Sequence, residues 1–147
     1  MSSQRFVYVI YIASTPEKVW EALVRGELTR QYWGHENVSD WKPGSTWEHR
    51  DAEDGTVRLV GKVVEFAPPR RLVLTWADPK DPAQASRVSF ELEQIESMVK
   101  LTVTHDRLTK DSPMDRGIRE GWPRVLASLK SLLETGKPLP TWAKTKS

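Results

Sequence analysis

The chain has 147 residues, 29% of them charged and 38% hydrophobic, the make-up of one globular domain large enough to bury a core without staples. No apolar run approaches the roughly 18 residues that cross a bilayer, and the absence of cysteine excludes disulfide frameworks, thiolate zinc sites and cysteine nucleophiles. Basic side chains outnumber acidic ones by 22 to 20, but Lys137, Lys144 and Lys146 follow Gly136; without them the body holds 19 against 20, and no basic stripe remains for nucleic acid.

The start, Met1-Ser-Ser-Gln-Arg, lacks the apolar block of an export signal, so a cytoplasmic location is expected. Phe6 to Ala13 is β-branched and aromatic and predicts a strand with two apolar faces. Ser14 with Glu17 matches a capping box, with Pro16 in the first turn, so a helix is expected from about Thr15 to Val24. It buries Val19, Trp20, Ala22 and Leu23. A short second helix follows Gly26, turning Leu28 and either Tyr32 or Trp33 inward.

From there to His105 the pattern is short strands and turns. Lys42-Pro-Gly-Ser45 has the residues of a type II turn between flanks centred on Trp41 and Trp47. Asp51 to Gly55 is a polar turn, Val57 to Phe66 a long strand stopped by Pro68-Pro69, and Leu72 to Trp76 the next strand. Beyond the loop from Asp78 to Ala85, Val88, Phe90 and Leu92, then Leu101, Val103 and His105, alternate with polar residues. Connectors this short demand an antiparallel meander. The last element runs from about Ser112 to Thr135, with Ile118, Trp122, Val125, Leu126, Leu129, Leu132 and Leu133 on one helical stripe and Gly136 as the stop. Pro123 either kinks this helix or starts its straight half.

Three stretches carry a resemblance: Ser14-Thr-Pro-Glu-Lys-Val-Trp20-Glu-Ala-Leu, the segment from Gly61 to Trp76, and Gly121-Trp-Pro-Arg-Val-Leu-Ala-Ser-Leu-Lys. They resemble the START-like (SRPBCC, helix-grip) superfamily and, within it, bacterial single-domain relatives of the activator of heat-shock protein 90 ATPase. The resemblance implies an α+β helix-grip fold over residues 1–136, followed by a Pro/Lys-containing tail at 137–147. A curved sheet of seven antiparallel strands carries two short helices after the first strand, and a long C-terminal helix packs across its concave face. It also implies a hydrophobic pocket under that helix rather than one chemistry, since the superfamily includes lipid carriers, receptors, cyclases and co-chaperones. The eukaryotic co-chaperone has a separate chaperone-engaging domain, which is not expected in a chain of this length.

Strand parity sketches the pocket. Trp33, Trp47, His49, Leu74, Trp76, Phe90, Val103, His105, Trp122 and Leu126 are expected to face one interior, as ligand-binding candidates or as plain core. His49 and His105 are the titratable residues on that face and the catalytic candidates, against the alternative of imidazoles satisfied by a backbone carbonyl. His35 is expected in a solvated loop. Asp51, Glu53 and Asp54 read as a solvated turn, Arg70-Arg71 as an anion anchor or a charged turn, and neither a metal nor a cofactor is expected.

Three functions follow: a binding module for an apolar or aromatic small molecule, a cyclase- or dehydratase-type enzyme using a pocket histidine, and a protein-interaction module, either co-chaperone-like or a homodimer. The second apolar face of the first strand, Val7, Val9 and Tyr11, calls for a second subunit or for the tail from Pro138 to Trp142 to cover it.

Overall fold

A computed structural model describes residues 3–139. In chain order it has β1 (Ser3–Ile12), α1 (Pro16–Val24), α2 (Gly26–Trp33), β2 (His35–Ser39), β3 (Thr46–Asp51), β4 (Val57–Ala67), β5 (Arg71–Trp76), β6 (Ser86–Ile95), β7 (Met98–Thr109) and α3 (Pro113–Thr135). The seven strands form one sheet in the order β1-β7-β6-β5-β4-β3-β2, every pair antiparallel. Strands β2 to β7 are the expected meander. The link carrying α1 and α2 takes the chain from one edge of the sheet to the other, a distance no tight turn spans.

One face of the sheet is apolar because the inward positions of each strand are. Val63, Leu72, Leu74, Val88, Phe90, Leu92, Leu101 and Val103 are buried and form one cluster with Ile118, Trp122, Val125, Leu126 and Leu129 of α3. Ser112 caps α3 by accepting from Asp115 N at 3.1 Å, Gly136 ends it in the left-handed conformation, and the helix runs unbroken through Pro123. Leu132 and Leu133 of the expected stripe are partly buried and pack against this cluster.

Four expectations need correction. The cap of α1 is Thr15, one residue later than the capping box placed it: its Oγ1 accepts from Lys18 N, while Ser14 N–H is still tied to the Ile12 carbonyl at 2.9 Å. The strand ahead of the Lys42–Ser45 turn covers His35–Ser39 and leaves Trp41 in the connection at φ 59°, where Ser39 Oγ accepts from Trp41 N and bends the chain. His35 therefore opens a strand instead of lying in a loop. Arg71 is not an open anion anchor, because its guanidinium pairs with Glu65 at 3.0 Å and Glu91 at 2.7 Å.

After α3 the chain doubles back along the helix. Ser131 Oγ donates to the Lys137 carbonyl at 2.7 Å, and Ser128 Oγ exchanges bonds with Leu139 N and O, both at 3.1 Å. This part of the tail lies on α3 and leaves Val7, Val9 and Tyr11 exposed; Pro140, Thr141 and Trp142 lie outside the described residues.

Candidate functional site

Five elements bring their rings to one place. Trp33 ends α2, Trp47 and His49 come from β3, Trp76 from β5, His105 from β7 and Trp122 from α3. Trp76 is the hub, with ring centroids 5.3 Å from Trp47, 5.4 Å from Trp122, 5.5 Å from His105 and 6.2 Å from Trp33. Trp33 in turn meets the His49 ring edge-on at 4.5 Å and Trp122 at 5.4 Å. Contacts at these separations are the ordinary geometry of packed aromatics. The rings fill much of the space between sheet and helix themselves.

The two inward histidines are held by side chains rather than backbone carbonyls. An indole N–H only donates, so the Trp122 Nε1–His105 Nδ1 contact at 3.1 Å fixes Nδ1 as the acceptor and leaves the proton on Nε2. That Nε2–H then donates to Ser86 Oγ at 2.7 Å, and the serine hydroxyl donates to the Trp76 carbonyl at 3.0 Å. The chain is closed, with both imidazole nitrogens used and the neutral form required. Burial pushes the His105 imidazole down to about 3, with Asp115 opposing weakly.

His49 follows the same logic. The Asn37 amide donates to the Leu23 carbonyl at 3.0 Å, which turns its Oδ1 toward His49 Nδ1 at 2.7 Å and makes that nitrogen the donor. Burial, with a contribution from His35 stacked at 4.7 Å, holds His49 well below the ordinary imidazole value. Neither ring is poised as a general base near neutral pH.

Beside this cluster lies an apolar pocket of about 200 Å³, lined by Trp33, Leu59, Trp76, Pro113, Met114, Gly117, Ile118, Gly121, Trp122 and Val125. Its cause is local. Met114, Gly117, Ile118, Gly121, Trp122 and Val125 make one stripe of α3, and two of those positions have no side chain. A Cβ built on Gly117 meets nothing within 4 Å. None of the lining side chains is charged. Trp76 adds the one unmet polar demand, an indole N–H that is buried without an acceptor.

Of the ten ligand-binding candidates, Trp33, Trp76 and Trp122 line this pocket. Trp47, His49, Leu74, Phe90, Val103, His105 and Leu126 are buried in the layer around it. The strand parity is as read, but the opening sits at the α3 side of the cluster. Strand parity does not report the rest of the lining, Leu59 and the α3 residues Pro113, Met114, Gly117, Ile118, Gly121 and Val125. The glycines were the available signal, since each costs a helix interior about 1 kcal/mol and implies a packing or functional reason. No group of three or more His, Asp or Glu side chains suited to a metal occurs among the described residues.

A curved antiparallel sheet gripping one long helix, with an apolar pocket between them, defines a START-like helix-grip domain. A family model described as activator of Hsp90 ATPase homolog 1-like protein matches residues 13–134, and the chain belongs to that family. The fold is shared with the Aha1 dimer from Colwellia psychrerythraea, solved in solution: 25% identity, TM-score 0.78, covering 91% of this chain and 98% of that one. It is shared too with protein MLL2253 from Mesorhizobium loti, at 26% identity and TM-score 0.75, covering 89% of this chain and 97% of that one. PFC0360w, an Hsp90 activator from Plasmodium falciparum, matches in fold at 20% identity and TM-score 0.74, covering 88% of this chain and 95% of that one. No curated protein matches the chain.

Proposed function

We propose that the domain binds a small, neutral, largely apolar molecule in the pocket beside Trp33, Trp76 and Trp122. The observation that carries this reading is the uncharged lining of that pocket, with Gly121 buried in its wall and Gly117 at its exposed rim, where a Cβ would meet nothing within 4 Å. A cavity of about 150 Å³ takes one benzene ring, so a pocket near 200 Å³ suits a molecule of one or two rings. Charge is selected against, because the lining offers no counter-ion to an ionised ligand. The buried Trp76 N–H favours a ligand with one acceptor oxygen, reached once the ring shifts to admit it. The enzyme alternative is weaker, since both inward histidines already have partners.

The test uses 2-acetylnaphthalene as a neutral carbonyl probe and 2-naphthoate as its charged counterpart. The neutral probe is expected to quench tryptophan fluorescence and raise the melting temperature, with about 2.7 kcal/mol of stabilisation at 100 times its dissociation constant. Gly117→Leu, which sets a bulky side chain at the mouth of the pocket, is expected to fold normally and abolish both signals. Equal binding by wild type and Gly117→Leu would remove the pocket from consideration. Stimulation of an Hsp90 ATPase that Gly117→Leu leaves intact, with no probe binding, would favour the co-chaperone reading instead.

A further inference from the structure

The sheet ends on an unusual strand. Among the described residues β1 pairs with β7 alone, and its other edge faces no strand. Phe6 to Ile12 contains no charge and no proline, the devices by which exposed edges are normally kept from pairing. Backbone groups of an antiparallel strand point alternately to either side. Two contacts fix which residues of β1 point outward: the Tyr11 carbonyl accepts from Lys130 Nζ at 2.6 Å, and Ala13 N–H donates to Glu134 Oε2 at 2.7 Å. Arg5, Val7 and Val9 share that parity, so their N–H and C=O groups face outward with no strand to meet them.

The same residues carry the exposed apolar face. Val7, Val9 and Tyr11 are 47%, 43% and 43% exposed, on the side of the sheet opposite α3. The other edge is handled differently: β2 is five residues long and carries Glu36, paired with Arg30 at 3.2 Å. The β2 edge is short and charged, whereas the β1 edge is open from Arg5 to Val9 in its hydrogen bonds and apolar in its side chains at Val7 and Val9.

We infer that β1 pairs antiparallel with β1 of a second copy of this chain, about a twofold axis at Val7, making one continuous sheet through both. A twofold through an edge strand is self-complementary, so the same residues serve both partners. The Lys130–Glu134 ion pair, 2.7 Å across, occupies the edge at Tyr11 and Ala13 and sets where pairing stops. Arg5 to Val9 of one copy then lies against Val9 to Arg5 of the other. The exposed valines of the two strands become neighbours on one face, where β-branched cross-strand pairs stabilise a sheet. The chain's own tail does not compete within the described residues, since Lys137 to Leu139 are bound to Ser128 and Ser131 of α3.

The full chain, followed by light scattering and sedimentation over a range of concentrations, is expected to be dimeric. Val9→Lys places a charge on an exposed edge position and is expected to give a monomer with an unchanged circular dichroism spectrum. The chain has no cysteine, so Val7→Cys supplies a single thiol. Opposed Cα atoms in a hydrogen-bonded antiparallel pair lie about 5.5 Å apart, within disulfide reach, and mild oxidation is expected to link this variant to itself. Val38→Cys on the far edge is expected to stay unlinked. A wild-type monomer at every concentration, or a dimer that Val9→Lys leaves whole, overturns the proposal. A dimer sensitive to Val9→Lys but without the Val7 cross-link overturns the Val7 twofold.

Discussion

Gly61 marks the point where the sheet accepts no side chain. It pairs with Trp47 across β3 and β4, and the Trp47 indole passes over it to donate to the Thr75 carbonyl of β5 at 2.7 Å. The β4–β5 ladder is interrupted there, with Lys62 N donating to Thr75 Oγ1 at 2.8 Å in place of a backbone bond. A Cβ on Gly61 would lie 2.5 Å from Trp47 Nε1 and would also collide with the Thr75 carbonyl, which is backbone and cannot rotate away. Gly61→Ala is therefore expected to cost about 3 kcal/mol in urea denaturation; a loss under about 1 kcal/mol would mean the strands part easily. The period-2 alternation showed that Trp47, His49 and His105 turn inward. It was silent on their partners, because Asn37 lies 12 residues from His49, Ser86 lies 19 from His105, and Thr75 lies 28 from Trp47. Only the register of the folded sheet brings such pairs together.

Among the elements, α3 was the most legible and β2 the least. The stripe of α3 repeats at helical spacing, with Ser112 before it and Gly136 after it, and all three features act locally. Leu129 lies at the centre of the stripe and is fully buried. Leu129→Ala is expected to lower stability by about 2–5 kcal/mol, the cost of lost methylenes plus the cavity they leave, as measured by chemical denaturation. A drop below about 1 kcal/mol would show that the helix resettles into the gap. For β2 no apolar alternation exists to be read. Its inward residue is Asn37, buried through bonds to Leu23 and His49, while its one aliphatic residue, Val38, points outward. The α1 cap was ambiguous for another reason: Ser14 and Thr15 are both good caps, and the bond from Ser14 back to Ile12 decides between them.

At the scale of the whole molecule, the sequence showed that rings from five elements converge but not whether they enclose space. That depends on how far the rings fill the interior and on two glycines in α3, neither of which hydrophobic periodicity reports. What the convergence does determine is the response to pH, because the cluster encloses two imidazoles that fold only as neutral groups. In the unfolded chain each takes a proton as pH falls below about 6.5. In the fold His105 resists until about 3, and His49 also sits well below the usual value, both chiefly through burial. The unfolded state thus binds more protons below about 6.5, so stability falls with falling pH, by up to about 1.4 kcal/mol per pH unit for His105, with His49 adding in the same direction. Between pH 6.5 and 4.5 His105 alone is expected to remove roughly 2 kcal/mol, a large share of the stability of a small domain. Asp115 and Glu134, whose carboxyls are held low first by the backbone N–H groups of Asp111 and Ala13, begin to add to the loss as pH falls into the ordinary carboxylate range, about 4, where the unfolded carboxyls take up protons. At the alkaline end burial raises the Tyr32 phenol, which donates to the Ala22 carbonyl at 2.7 Å, so its contribution holds until the unfolded phenol ionises above about 10. Stability measured by urea denaturation at fixed ionic strength should therefore plateau between about pH 7 and 10 and fall below pH 6.5. His105→Asn keeps an acceptor for the Trp122 N–H and removes one titrating group, so it should reduce the slope between pH 6 and 5 by up to about 1.4 kcal/mol per pH unit while lowering the plateau. A wild-type curve that stays flat from pH 7 to 5 would show that these imidazoles accept protons without leaving the fold, and that the closed hydrogen-bond chain does not hold His105 neutral.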